Sequence, residues 1–218
     1  MIKRIALLFA CCLLPASHAR TLAWDITSQP FLVGLSVPPQ VVGAQFSISS
    51  VETVVSLGMF ADQFGPVFTH TVRLWTDDGT LLASAVVDKN TSSAVPALTS
   101  PYRWLFTDIG PLTLDPGTYR IGVGYAALLP GLSDDSLGMS TGVTPIGADY
   151  LMMARSNGGA GTTVFPDLLV PPVQAAQLFG ANLQFADVPE PASDALIVTG
   201  LGVLLVVLRG RLPKRNRP

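Results

Sequence analysis

Few side chains in this 218-residue chain are equipped for chemistry, and their placement narrows the choice further. The two histidines are His18 and His70, and the two cysteines, Cys11 and Cys12, are adjacent inside an apolar N-terminal stretch. Neither a histidine cluster for a metal nor a cysteine-based zinc site can be assembled from them. A Ser-His-Asp relay would have to use His70, which precedes a strand-like run and is expected at a surface strand end. Carboxylates are more plentiful. Asp62, Asp77, Asp78, Asp134 and Asp135 could pair across a cleft as the acid and base of a glycoside hydrolase, or group their oxygens around calcium. Asp134 and Asp135 are the calcium candidates, yet turn sequence explains most of these residues, and neither an EF-hand nor a nonapeptide repeat frames them. No cofactor is expected otherwise. Among the aromatics, Trp104 and Tyr125 alternate in phase with Phe106 and Val123 and belong to a core face. Trp75, out of phase with Val72 and Leu74, is left as the candidate glycan contact.

The composition sets the frame for these residues. Charged residues make up 13% of the chain, against roughly 25% in an ordinary soluble domain, and hydrophobic residues 49%. With 18 prolines and 20 glycines the chain is too punctuated for a helical bundle, and its apolar content is too high for a disordered polymer.

Both ends carry membrane signals. Lys3 and Arg4 precede an apolar run from Ile5 to Leu14 and a small-x-small site at Ser17-His18-Ala19. This order predicts a secretory signal peptide over residues 1–19, exported by the Sec translocon and cut by signal peptidase after Ala19. At the other end, Val188-Pro189-Glu190-Pro191 is followed by an uncharged run from Ala195 to Leu208. Arg209, Arg211, Lys214, Arg215 and Arg217 then supply five basic residues in nine. A helix over residues 192–208 would be about 25 Å long, slightly short of a bilayer core and assisted by snorkelling arginines. The basic tail is then cytoplasmic. Prolines on both sides of Glu190 hold the backbone extended where it meets the membrane, the conformation a protease cleft requires.

These C-terminal residues resemble the PEP-CTERM sorting signal of Gram-negative bacteria. The match consists of Pro189, Glu190 and Pro191, a short helix containing Gly200 and Gly202, and a basic end opened by Arg209 and Arg211. Asp194 near the start of the apolar run and Leu212-Pro213 within the basic cluster depart from the pattern. The resemblance implies recognition by exosortase, a multi-pass membrane cysteine transpeptidase or protease, with processing near the motif. It also implies a setting in exopolysaccharide or biofilm systems, with an inner-membrane precursor whose domain lies in the periplasm before reaching the cell surface or extracellular matrix.

Between the ends lie residues 20–187, where six basic residues face thirteen acidic ones, a net charge of minus seven. Such a surface offers no cationic stripe to phosphates, so nucleic acid is not an expected partner. Thr53 to Phe60, Thr71 to Thr76, Leu81 to Val87, Tyr102 to Phe106, Tyr119 to Tyr125 and Ala176 to Phe185 alternate as strands. Asp77-Asp78-Gly79-Thr80 is a hairpin signal, and Asp115-Pro116-Gly117-Thr118 a second turn. The expected fold is all-β, an antiparallel β-sandwich or jelly-roll-like ectodomain, with Val55, Leu57, Val72, Leu74, Trp104, Ile121 and Val123 buried. Gly158-Gly159-Ala160-Gly161 lacks the Lys-Ser or Lys-Thr of a phosphate loop and reads as a flexible connection. Gln45 to Tyr125 is also similar to an uncharacterised β-sandwich domain of bacterial surface proteins, a likeness of strands and turns that speaks to fold.

The function expected from the sequence is that of a non-catalytic surface or matrix module, sorted by exosortase and contacting exopolysaccharide. A membrane-tethered carbohydrate-active hydrolase is the alternative.

Overall fold

Apolar residues at every second position need a sheet with something packed against it, and among the described residues every regular element is a β-strand. The computed structural model describes residues 20–28, 31–33, 40–62, 66, 69–99, 101–125, 137–140, 142–156, 164–170 and 177–186. The expected signal peptide, the segment 188–218, Asp134, Asp135 and the glycine run at 158–161 lie outside them.

Two larger sheets carry most of the chain. In the first, β1 (Arg20–Leu22), β16 (Ala181–Ala186), β5 (Glu52–Ala61), β9 (Arg103–Leu114) and β8 (Ser93–Pro96) lie in that order. In the second the order is β14 (Leu168–Val170), β13 (Asp149–Arg155), β4 (Gln40–Ile48), β10 (Gly117–Tyr125), β6 (His70–Thr76) and β7 (Leu81–Val87). Two small sheets complete the set: β15 (Gln177–Phe179), β11 (Leu137–Ser140) and β3 (Phe31–Val33), and the pair β12 (Val143–Pro145) with β2 (Trp24–Ile26). Every recorded pairing is antiparallel.

One core cluster draws residues from both large sheets, as in a sandwich. The second sheet contributes Phe46, Val72, Leu74, Ile121 and Val123, and the first contributes Leu57, Met59, Trp104, Phe106, Leu183 and Phe185. Aromatic rings fill its centre. Trp24 lies 5.5 Å from Phe46 and 5.6 Å from Tyr150, and Phe60 packs between Tyr102 and Trp104. A buried carboxylate ties this core to a loop. Asp25, 3% exposed, accepts hydrogen bonds from Trp104 Nε1 at 2.9 Å, its own neighbour Ile26 N at 2.7 Å and Leu98 N at 3.0 Å. Its oxygens thereby exchange water for three fixed donors.

The Asp77-Asp78-Gly79-Thr80 signal is borne out. Strands β6 and β7 form a hairpin there, and Gly79 has φ of 95°, the only positive φ among the described residues. The first and last described strands lie side by side, since Arg20 pairs with Ala186 in the β1–β16 ladder. Arg20 further grips Asp108 of β9 through its two terminal guanidinium nitrogens, one of them at 2.9 Å, and holds that carboxyl below the usual carboxylate range.

Strict alternation fails at one expected core position. Val54 is fully buried and Val55 half-buried, the reverse of the phase that Leu57 and Met59 predict. Along β5, Val55 is an extra residue against Gln184 and Phe185 of β16, and on its other side Ile109-Gly110-Pro111 of β9 oppose it. The bulge shifts the side-chain phase by one residue. Val54→Ala is therefore expected to cost about 2 kcal/mol in urea unfolding and Val55→Ala less than about 1 kcal/mol. An equal loss at both positions would contradict the bulge.

Candidate functional site

Strand alternation gives the second large sheet an outer face as well as a core face. Val42, Ala44 and Phe46 of β4, Ile121 and Val123 of β10, and Val72 and Leu74 of β6 enter the core cluster, so Val41, Gln45, Arg120 and Trp75 point the other way. Cross-strand register sets three of these in a row, because Arg120 pairs with Gln45 on one side and with Trp75 on the other. That face is covered. Val41 is fully buried, and Trp75, Gln45 and Arg120 are 3%, 6% and 8% exposed.

The cover over the row is the extended segment from Val164 to Asp167, which leads into β14. Phe165 meets Trp75 edge to face, with ring centres 6.0 Å apart. The Arg120 guanidinium sits 4.6 Å from the centre of the Phe165 ring, and its Nη1 donates to the Pro166 carbonyl at 2.7 Å. Behind it, Arg120 Nε donates to Asp77 Oδ1 at 2.7 Å, and Gln45 Nε2 donates to the same oxygen at 2.8 Å. Gly79 bounds the other side, where an added Cβ would stand 3.6 Å from the Phe165 ring. One cation thus holds an aromatic face, a backbone carbonyl and a carboxylate together, each a partner suited to a planar guanidinium.

The electrostatics follow from these contacts. Burial alone would raise the Asp77 carboxyl, but the hydrogen bonds from Gln45 and Arg120 and the neighbouring positive charge outweigh it and leave it below the usual range. Asp78 is also lowered, through hydrogen bonds from Thr76 and Thr80 inside the turn.

The structure redistributes the residues singled out from sequence. Trp75 does point away from the core, as its phase predicts, but it does not stand free as a sugar platform. Phe165, ninety residues later, covers it. Trp104 and Tyr125 are core residues, at 0% and 2% exposure. His70 is buried rather than at the surface, with Nδ1 3.1 Å from the Gly124 carbonyl and its ring 5.0 Å from that of Tyr125. A Gly-x-Ser-x-Gly spacing occurs at Gly138-Met139-Ser140-Thr141-Gly142. Ser140, however, ends β11 paired with Gln177, and the next element is strand β12. A nucleophile elbow needs a strand-to-helix turn instead. Among the described residues no group of three or more His, Cys, Asp or Glu side chains is arranged to hold a metal ion.

Arg120, Gln45 and Phe165 carry the site and were not singled out from the sequence. Arg120 offered one signal, an arginine interrupting the apolar run Tyr119 to Tyr125.

Two outcomes test this arrangement. Arg120→Leu removes the grip on Pro166 and Asp77 and is expected to lower stability by about 2 kcal/mol, partly exposed Asp77 limiting the loss. Limited chymotrypsin digestion should then cut after Leu168 or Leu169, directly behind the released segment, faster than in the wild type. Asp77 has a lowered carboxyl pKa, so its contribution is complete above the unfolded value of about 3.9 and disappears as pH falls through the folded value. Urea midpoints should accordingly fall more steeply below about pH 4 in the wild type than in Asp77→Asn. Parallel curves would place the Asp77 charge outside the stability balance.

No protein-family model matches this chain, and no curated protein matches it.

Proposed function

We propose that this chain is an exported surface or matrix protein whose β domain serves as a non-catalytic interaction module. Its C-terminal segment sorts it and is processed by exosortase. The observation that carries the reading is the ordered triplet at the C-terminus: Pro189-Glu190-Pro191, the uncharged run to Leu208, and the basic residues from Arg209 to Arg217. The fuller architecture is a jelly-roll-like sandwich followed by one transmembrane helix over residues 192–208. The Sec translocon and signal peptidase handle the N-terminus, and the processed domain reaches the cell surface or an exopolysaccharide matrix.

Two structural features support this reading. Arg20, the first residue after the expected cleavage site, pairs with Ala186, two residues before Val188. A domain tethered through the segment after Ala186 thus keeps its new N-terminus clasped in the same sheet. In addition, Asp25, Asp77, Asp78, Asp88 and Asp108 are engaged with backbone amides, hydroxyls, an indole or arginine. Those are structural duties, which the reading as an interaction module accommodates. The acidic domain would meet an acidic polymer through bridging calcium and a neutral glycan through hydrogen bonds and apolar contact.

Replacing Pro189 and Glu190 with alanine is expected to abolish C-terminal processing, read by intact mass spectrometry of the protein from producing cells. The wild-type product should lack residues 211–218 and the variant should retain them. A wild-type product that keeps the basic tail would make the segment a plain anchor and overturn the sorting assignment.

A further inference from the structure

The connection between β7 and β8 carries a linear pattern of its own. Of the asparagines Asn90, Asn157, Asn182 and Asn216, Asn90 alone is followed two positions later by a hydroxyl residue, in Asn90-Thr91-Ser92. Asn-x-Ser/Thr is the acceptor pattern of N-glycosylation, in which the transferase holds a hydroxyl two residues beyond the amide that it modifies. The fold places this triplet where a sugar chain has room. Thr91 N and Ser92 N both donate to the Asp88 carbonyl, at 3.2 and 2.8 Å, and Asn90 N donates to Asp88 Oδ1 at 2.8 Å, so the triplet lies on a closed turn. Lys89, Asn90 and Thr91 are all exposed there. The turn leads from β7, an edge strand of the second sheet, to β8, an edge strand of the first.

We infer that Asn90 is the attachment site of an N-linked oligosaccharide, added during export, that shields the edge of β7; the inference rests on the exported fate proposed above. The donor is an oligosaccharide carried on a polyprenyl diphosphate. Asn90 Nδ2 bonds to the anomeric carbon as the carbon–oxygen bond to the diphosphate breaks. The nitrogen gives up one proton, the lipid diphosphate leaves, and nothing is oxidised or reduced. Two observations beyond the pattern point to this site. First, the neighbouring edge needs cover. Leu81 to Val87 contains neither a charge nor a proline, and Leu81 and Val86 are 52% and 55% exposed. Natural sheets guard such an edge against pairing with other chains, and a bulky hydrophilic sugar rooted three residues past Val87 does so from outside. Second, the hydroxyl of the triplet is engaged by a later strand. Ser92 Oγ accepts from Asp88 N at 3.0 Å and lies 2.8 Å from Thr107 Oγ1 of β9. Until β9 docks, that contact is unmade and the hydroxyl is open to the transferase. Afterwards Ser92 is tied to the domain while Asn90 stays outside with its sugar.

The test takes the full chain, isolated in detergent from the cells that produce it, and reads it by intact mass and by fragmentation of its proteolytic peptides. The wild type is expected to lack residues 1–19 and to carry whole hexose or N-acetylhexosamine units on the peptide containing Asn90. Asn90→Gln and Ser92→Ala should lose that mass completely. Ser92→Thr, which keeps a hydroxyl, should retain it, and so should Thr107→Val, which frees the hydroxyl without touching the triplet. Light scattering supplies a second reading, in which Asn90→Gln should aggregate at a lower concentration than the wild type. Processed wild type with a bare Asn90 overturns the inference, as does sugar that persists on Asn90 in Ser92→Ala. Equal aggregation of glycosylated wild type and Asn90→Gln overturns the shielding of β7. A wild type that keeps residues 1–19 refutes export itself, so failure of that reading is told apart from failure at Asn90. None of these readings involves residues 188–218, and the sorting assignment stands or falls separately.

Discussion

The outer layer of this protein is organised around a single buried cation. Arg120 projects from the middle of β10, between neighbours on β4 and β6, where a guanidinium without partners would be costly to desolvate. Asp77 meets its charge, Gln45 shares the accepting oxygen, and the carbonyl of Pro166 takes the nitrogen that faces outward. Phe165 then lies against the flat face of the guanidinium. Remove the cation and the segment keeps its ring contact with Trp75 but loses the partner of its carbonyl and of its aromatic face. The charge of Arg120 therefore does what apolar packing does elsewhere in the chain: it helps select which segment covers which face.

On the inner side the same task falls to hydrophobic burial, with one polar exception. The core between the large sheets is built from aromatic and branched aliphatic side chains, and Asp25 enters it carrying three donated hydrogen bonds. The indole of Trp104 and the amide of Leu98 have no need to be near one another in an apolar core; a shared carboxylate fixes both. Asp25 on the inside and Arg120 on the outside are thus two charges that specify the positions of loops, in a molecule otherwise poor in charge.

Much of this was legible in the sequence, and the limits have physical causes. Alternation assigned the faces of β6 and β10 correctly, down to Trp75 pointing away from Val72 and Leu74, because those strands are regular. The hairpin at Asp77 to Thr80 was readable because only glycine accepts the backbone angle found at Gly79 without strain. Val55 was misplaced because a bulge depends on the partner strands, Pro111 among their residues, and β5 carries no mark of it. Trp75 was expected to be open to sugars because local pattern tells which face a residue occupies and says nothing about what a distant segment lays on that face. Arg120 escaped notice for the same reason: its partners Asp77 and Pro166 lie 43 and 46 residues away. The expectations for the two ends are of the opposite kind, since they rest on linear composition and order and lie outside the described residues.

The position of β16 has a consequence for timing. It lies between β1 and β5, so until residues 181–186 arrive the first sheet has an empty slot lined by two unsatisfied backbone edges. A chain that crosses a membrane N-terminus first delivers this strand last. On the proposed topology, the segment directly behind it is the one that would stop in the bilayer. Closure of the sheet and arrest of translocation would then be nearly simultaneous, and the half-finished domain would wait as a sticky nascent chain through most of its passage. On that route such a chain would need holdases, or sheer speed of transit, far more than a domain whose last strand sits at an edge.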